Sequence, residues 1–169
     1  MGTELNTDRM EAQPITSSAR GAMENKIAIA AVPWLDERSA GLVRATIATI
    51  AYRHPELRAA ILYGSVARHE ERPLDDAEPS DVDLLLIVEP RGGRGRIPLE
   101  QSLAIYAAAG DALDGYLYPP RDVQILLATP DLAGWDTLFI ANVAREGILL
   151  WARAPLPATL EAAGSRVPG

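Results

Sequence analysis

Two carboxylates open an otherwise apolar run, Ser80-Asp81-Val82-Asp83-Leu84-Leu85-Leu86-Ile87-Val88. The run is short and rich in branched residues, which predicts a strand rather than a helix. Side chains alternate along a strand, so Asp81 and Asp83 share one face with Cα atoms about 6.5 Å apart. Leu85 and Ile87 continue that face, and Val82, Leu84, Leu86 and Val88 form the other. A buried strand with two like charges at one end needs a counter-charge. A divalent cation supplies it most simply. Hard Mg²⁺ takes carboxylate oxygens and keeps positions open for phosphate oxygens.

Upstream, Ala60-Ile61-Leu62-Tyr63 leads into Gly64-Ser65-Val66-Ala67-Arg68. Leu57 to Tyr63 reads as a first strand feeding this turn. Gly64 lets backbone approach a ligand closely and accepts positive φ. Ser65 offers a hydroxyl, and a short helix begun there would aim N–H groups at an anion. A phosphate cradle beside an acid pair that holds a cation points to phosphoryl or nucleotidyl transfer.

Gly64-Ser65-Val66-Ala67-Arg68 followed by Ser80-Asp81-Val82-Asp83-Leu84 resembles the signature of the DNA polymerase β-like nucleotidyltransferase superfamily, above all its small, single-domain minimal nucleotidyltransferases. The resemblance implies an α/β (α+β) nucleotidyltransferase fold, with a mixed sheet of about four strands flanked by helices. It implies nucleotide-binding roles for Gly64, Ser65 and Arg68, and Mg²⁺ held by Asp81 and Asp83. The family also uses a third acid on a neighbouring strand, both as metal ligand and to take the proton of the attacking hydroxyl. Counting back from Thr129-Pro130, that slot falls at Gln124. Asp122 lies two residues earlier on the same strand face. Either Asp122 is the third catalytic and metal-binding carboxylate, or Gln124 fills the slot and catalysis is weakened. One departure is plain: where the family has glycine after the arginine, this chain has His69, at the mouth of the expected nucleotide site or facing water. Arg68 is expected to meet a phosphate, to brace the acids, or to pair with Asp75 or Asp76.

The remaining sequence sets bounds. A chain of 169 residues with 48% hydrophobic content supports one domain with tails. There is no cysteine, which removes thiolate zinc sites, thiol catalysis and disulfides. No long uncharged apolar run is present, and Met1 to Asn6 lacks a signal-peptide core, so a cytoplasmic location is expected. The net charge of −7 disfavours non-specific nucleic-acid binding.

Residues 1–24 read as a flexible tail, 25–153 as the nucleotidyltransferase domain and 154–169 as a peripheral C-terminal tail. Lys26 to Val32 is an apolar run of undecided conformation. Leu35 to Tyr52 shows helical spacing (Leu42, Val43, Ile47, Ile50), with Asp36 or Ser39 as cap, Trp34 packed at its start and an exposed His54 before Pro55 as its stop. Glu70 to Pro79 reads as a solvated acidic loop, and Arg91 to Arg96 as a mobile basic one. Pro98 to Tyr118 is expected to be helical, with Leu99, Leu103, Tyr106, Leu113 and Leu117 near one face and Gly110 as a point of interruption. Asp122 to Ala128 is expected to be a strand. Thr129-Pro130 is expected to start a helix running over 132–146, stopped by Gly147, and Ile148 to Ala152 to form a last strand.

The resemblance further implies an acceptor. Some minimal nucleotidyltransferases are antitoxins that modify a helical HEPN-type ribonuclease toxin, so a tyrosine of such a partner is expected to receive AMP from ATP. An aminoglycoside-type nucleotidyltransferase and a nucleotide- or partner-binding module without turnover are the alternatives. A homodimer is an open expectation, because so small a domain leaves its site uncovered on one side.

Overall fold

The computed structural model describes residues 24, 26–93, 95–116, 118–153 and 156–160. The expected N-terminal tail lies outside them except for Glu24. Its elements are α1 (Glu37–Arg53), β1 (Leu57–Tyr63), α2 (Gly64–Arg68), β2 (Val82–Val88), α3 (Leu99–Leu113), β3 (Val123–Ala128), α4 (Thr137–Glu146) and β4 (Ile148–Ala152), with 3₁₀ turns at Ile29–Ala31 and Ala158–Leu160. The strands form a four-stranded sheet ordered β3-β2-β1-β4. β1 runs antiparallel to β2 and β4, whereas β2 and β3 are parallel. This is the mixed, helix-flanked sheet expected of the chain.

β2 is interior to the sheet, which explains its lack of polar residues beyond the acids. Leu84, Leu86 and Val88 join Val43, Ile47, Ile50 and Ile105 in a core beneath α1 and α3. Leu85 and Ile87 join Ala59, Ile61, Ile140, Val143 and Leu160 in a second core beneath α4. The acid pair therefore belongs to the α4 face.

α1 starts as read: the Asp36 carboxylate accepts from the Ser39 amide at 2.8 Å. Its end is different. His54 is buried at 7% exposure, not exposed. The Arg153 guanidinium gathers the carbonyls of Ala51 at 2.7 Å, Leu57 at 3.3 Å and His54 at 3.4 Å, stacking at 5.0 Å on Trp151. Such a cation satisfies the last carbonyls of a helix. Burial in turn pushes the His54 imidazole below its ordinary pKa. The undecided run 26–32 becomes a 3₁₀ turn that buries Ile27, Ile29 and Val32.

α3 reverses the expected orientation. Leu99, Leu103 and Tyr106 are exposed at 74%, 58% and 44%. The buried face is Gln101, Ile105, Ala108, Ala109 and Ala112. Alanines let α3 approach α1 closely, and Gln101 is needed inside. Its amide donates to Glu89 O at 2.9 Å, and its oxygen accepts from the Arg91 amide at 2.8 Å. Arg91 also pairs with Glu56 at 2.6 Å, so this part of the basic loop is tied down. Gly110 does not interrupt the helix. Leu117 lies outside the described residues.

Thr129-Pro130 does not start the last helix. Thr129 instead hydrogen-bonds Asp131, and α4 begins at Thr137 under an Asp136 cap that accepts from Leu138 and Phe139 amides at 2.7 and 3.1 Å. A local side-chain bond has won over helix initiation. The chain after β4 is not wholly peripheral, since Leu160 is fully buried against α4. No helix among the described residues is long and apolar enough to cross a membrane.

Gly110 within α3 and Gly147 just after α4 should respond oppositely to alanine. At Gly147 a Cβ would lie 2.4 Å from Val143 O and 2.9 Å from Ile61 Cγ2. Gly147→Ala should cost about 1–3 kcal/mol by overpacking. Gly110 has nothing within 4 Å of its Cβ position. Gly110→Ala should stabilise by about 0.5–1 kcal/mol, because glycine weakens helix interiors. Urea unfolding midpoints check both signs.

Candidate active site

The end of the sheet where β1 finishes and β2 begins carries the acids. In the antiparallel pair, Tyr63 sits opposite Asp83, so the residue that enters the Gly-Ser turn and the second acid are cross-strand neighbours. Gly64 has φ +78°, a conformation side chains resist. A Cβ placed there would meet Asp83 Oδ2 at 2.3 Å. Glycine is required at this position twice over, for the turn and for the carboxylate lying against it. Ser65 follows, half-buried, on the first turn of α2.

The αL residue that closes α2 is His69, at φ 57° and ψ 43°. Histidine tolerates this region better than most side chains, though less well than the family's glycine. Its imidazole stacks on Trp34, with centroids 4.8 Å apart and planes 18° apart. Trp34 Nε1 in turn donates to Val66 O at 2.7 Å. The tryptophan thus braces α2 itself as well as the start of α1, and the ring stack offsets the strained cap.

Arg68 does not pair with Asp75 or Asp76. Its Nε meets Glu70 at 2.7 Å and its Nη1 meets Glu146, at the end of α4, at 3.3 Å. The acidic loop is also less free than expected. Ser80 is buried, and its Oγ accepts from the Arg72 amide at 2.8 Å, closing the loop on itself.

Electrostatics single out Asp83. Its carboxyl is held above the usual aspartate range, first by burial and then by the negative charge of Asp81, while Arg68 opposes the shift. The Tyr63 phenol is pushed up to about 12 by burial and by Asp83. Two like charges crowded at a half-buried strand end, against a glycine that leaves room for one carboxylate oxygen, fit a hard divalent cation. The donor set has a limit: among the described residues, no three His, Cys, Asp or Glu stand where they could share a metal ion.

Across the parallel pair, Asp83 lies beside Gln124, and the Val82 amide donates to Asp122 O at 2.8 Å. Gln124 therefore occupies the position on β3 opposite the second acid, and Asp122 stands just before the strand, exposed. The structure brings Gly64 and Asp83 together, sets Asp81 within electrostatic reach, and leaves Asp122 one step outside. Arg121 carries no mark in the sequence. It is 6% exposed, and its Nη1 donates to Arg72 O at 2.8 Å and Ser80 O at 2.9 Å. No local pattern marks it, because its partners lie more than forty residues away.

The description "Polymerase beta, Nucleotidyltransferase" belongs to the family whose pattern matches residues 45–155. Among solved structures, a toxin-antitoxin with AMP-PNP is similar at TM-score 0.44 and 16% identity, covering 73% of this chain and 82% of the other. Two mutant forms of the toxin-antitoxin MntA-HpeT give TM-scores of 0.41 and 0.39 at 14% and 16% identity. Each covers 70% of this chain, and 78% and 77% of its own. No curated protein matches the chain in sequence.

The raised Asp83 pKa has a sign that can be tested. A carboxyl that binds its proton more tightly when folded stabilises the fold at low pH. It loses that contribution as pH rises from the unfolded value through the folded one. Asp83→Asn should therefore melt higher than wild type at pH 7 in metal-free buffer. The advantage should shrink as pH falls toward the ordinary aspartate value of 3.8. Thermal melts over that range with a chelator present decide it. A less stable Asn variant at neutral pH would mean that a partner already compensates Asp83.

Proposed function

Because this chain belongs to the polymerase β nucleotidyltransferase family, we propose that it transfers a nucleoside monophosphate, AMP from ATP in the first instance, to a hydroxyl group. The observation that carries the reading is the fit of Gly64 to Asp83, where turn and carboxylate approach so closely that no side chain could stand between them. A Gly-Ser turn that meets an acid in this way has a use if both face one ligand, a nucleoside triphosphate with its cation. Gly64 and Ser65 would orient the β- and γ-phosphates. Arg68, whose charge already reaches Asp83, would exchange a glutamate for a phosphate oxygen.

In the reaction, the acceptor oxygen forms a bond to the α-phosphorus while the bond from that phosphorus to the bridging oxygen breaks, and pyrophosphate leaves in line. Asp81 and Asp83 are the residues that would hold Mg²⁺. When bound, the cation supplies charge neutralisation and Lewis acidity at the triphosphate. The proton of the attacking hydroxyl passes to a carboxylate, and Asp122 is the residue we assign to that role; to serve also as third ligand it would have to move toward the acid pair, since the three do not stand where they could share an ion. The acceptor we assign to a partner protein, a tyrosine of a helical HEPN-type toxin, in keeping with the resemblance of the motif to antitoxin members of the family. Asp81 and Asp83 are both partly exposed, which leaves them within a partner's reach.

A second reading is favoured by one specific observation. Gln124, which can ligate a cation but cannot take a proton, stands directly across from Asp83. In that reading the domain binds nucleotide and partner without turnover.

Calorimetric titration of ATP with Mg²⁺ should give saturable binding to the wild type and none to the Asp81→Asn/Asp83→Asn double variant. A folded wild type that binds no nucleoside triphosphate would overturn the assignment. Transfer of an α-phosphate label then separates the two readings. Under the enzymatic reading Asp122→Asn loses transfer by roughly 10²–10⁴-fold, the usual worth of a positioned proton acceptor. Under the binding-module reading the wild type is silent, and Gln124→Asp raises transfer instead.

A further inference from the structure

We propose that Arg121 is a positioning residue whose buried guanidinium fixes where Asp81 enters β2, and so sets the cation affinity of the acid pair; this rests on the acid pair being the cation site of the proposed function. Arginine is almost never buried to this degree unless paired, and moving such an ion out of water costs several kcal/mol. A methionine would fill the same space without that cost. The location of its contacts explains the guanidinium.

Its hydrogen bonds converge on the short path of chain that leads into the acids. Nη1 donates at once to Arg72 O at 2.8 Å and Ser80 O at 2.9 Å, the two ends of the loop before β2. The same two residues are joined by the Arg72 amide and Ser80 Oγ at 2.8 Å. The carbonyl of Ser80 belongs to the peptide bond that carries Asp81. On the other side, Arg121 is covalently next to Asp122, whose carbonyl accepts from the Val82 amide at 2.8 Å. One side chain therefore references the starts of β2 and β3 to each other. A one-ångström drift of Ser80 would carry Asp81 with it.

The arrangement also handles charge. An uncompensated cation hydrogen-bonded to the peptide that carries Asp81 would oppose a metal ion bound there. Asp36 Oδ2 faces Arg121 Nε at 3.5 Å, while Asp36 Oδ1 caps α1 through the Ser39 amide at 2.8 Å. The pair supplies a rigid fork of donors with little net field. Asp36→Asn separates the two effects: asparagine caps a helix as well as aspartate does, but leaves the Arg121 charge uncompensated.

The test uses the full chain and Mn²⁺ alone, measured by electron paramagnetic resonance of the free ion, beside hydrogen exchange of the amides at 72–82. Arg121→Gln should weaken Mn²⁺ binding by about 10–100-fold, the range for residues that orient metal ligands. It should also speed exchange at 72–82 by roughly tenfold while β1 and α1 keep wild-type rates. Arg121→Lys, with an ammonium in place of the fork, should fall between. Asp36→Asn should weaken Mn²⁺ binding with helix content intact. The proposal is overturned if folded Arg121→Gln binds Mn²⁺ like wild type, or if exchange rises uniformly across the sheet. Should Arg121→Gln not fold, Arg121→Lys with wild-type behaviour in both readouts overturns it equally. A wild type that takes up no Mn²⁺ would instead sink the cation reading of the acid pair; exchange at 72–82 would still decide whether Arg121 clamps the loop.

Discussion

The site depends on a repulsion that the fold does not relieve. Asp81 immediately precedes β2 and Asp83 lies on it, and the negative charge of the first raises the pKa of the second on top of the penalty of burial. Asp83 is held by the ladders to β1 and β3, and Asp81 stands immediately before the first laddered residue, Val82, so the two charges stay crowded as long as the entry to β2 is fixed. The two cores that clamp β2 from both faces, with Leu84, Leu85, Leu86 and Ile87 all fully buried, oppose this repulsion by the burial of apolar surface. Fully buried packing thus lies in line with two crowded like charges.

A second strained point adjoins the first. The chain between β1 and the acidic loop passes through positive φ at Gly64 and again at His69. Glycine is at ease in that region, and histidine is not. The histidine is tolerated because Trp34 provides both a stacking surface for its ring and a hydrogen bond to the carbonyl of Val66, one turn away. Trp34 comes from the segment before α1, so the conformation of the turn is fixed by residues remote in sequence. Arg68, between the two strained positions, is restrained by Glu70 and by Glu146 at the end of α4. The turn, the helix over the second core and the acids are therefore electrostatically coupled through one exposed guanidinium.

These observations also explain what could be read from the sequence. β1, β2 and β4 are runs of apolar residues between polar stops, and each was visible as such. So was the acid pair, because a period of two places both carboxylates on one side whatever the rest of the chain does. The face of α3 was not legible. Leu99, Leu103 and Tyr106 make the more apolar stripe, yet the helix buries Ala108, Ala109 and Ala112 with Gln101, because close approach to α1 and two backbone partners for one amide outweigh side-chain hydrophobicity there. His54 is buried where its imidazole meets the Ala104 backbone in α3, a contact remote in sequence. The start of α4 was misplaced because Thr129 found Asp131 before it found a helix. Each miss is a contact between segments, or a local bond that competes with a helix, and neither shows in periodicity.

Arg121 joins these themes. The loop between α2 and β2 is acidic and mostly exposed, and on composition alone it would move with the solvent. A site that needs Asp81 at a constant distance from Asp83 cannot hang from such a loop unless the loop is cut off from the strand mechanically. A buried donor that takes the carbonyls at both ends of the loop does this: motion between Arg72 and Ser80 need not reach β2. The loop can then vary in length, charge and contacts at no cost to the acids. That separation accounts for how this chain carries a long acidic loop directly before the strand that bears Asp83. It also accounts for an ion buried in a molecule whose other ion pairs are largely exposed: what the ion holds is position, and little of the overall stability need come from it.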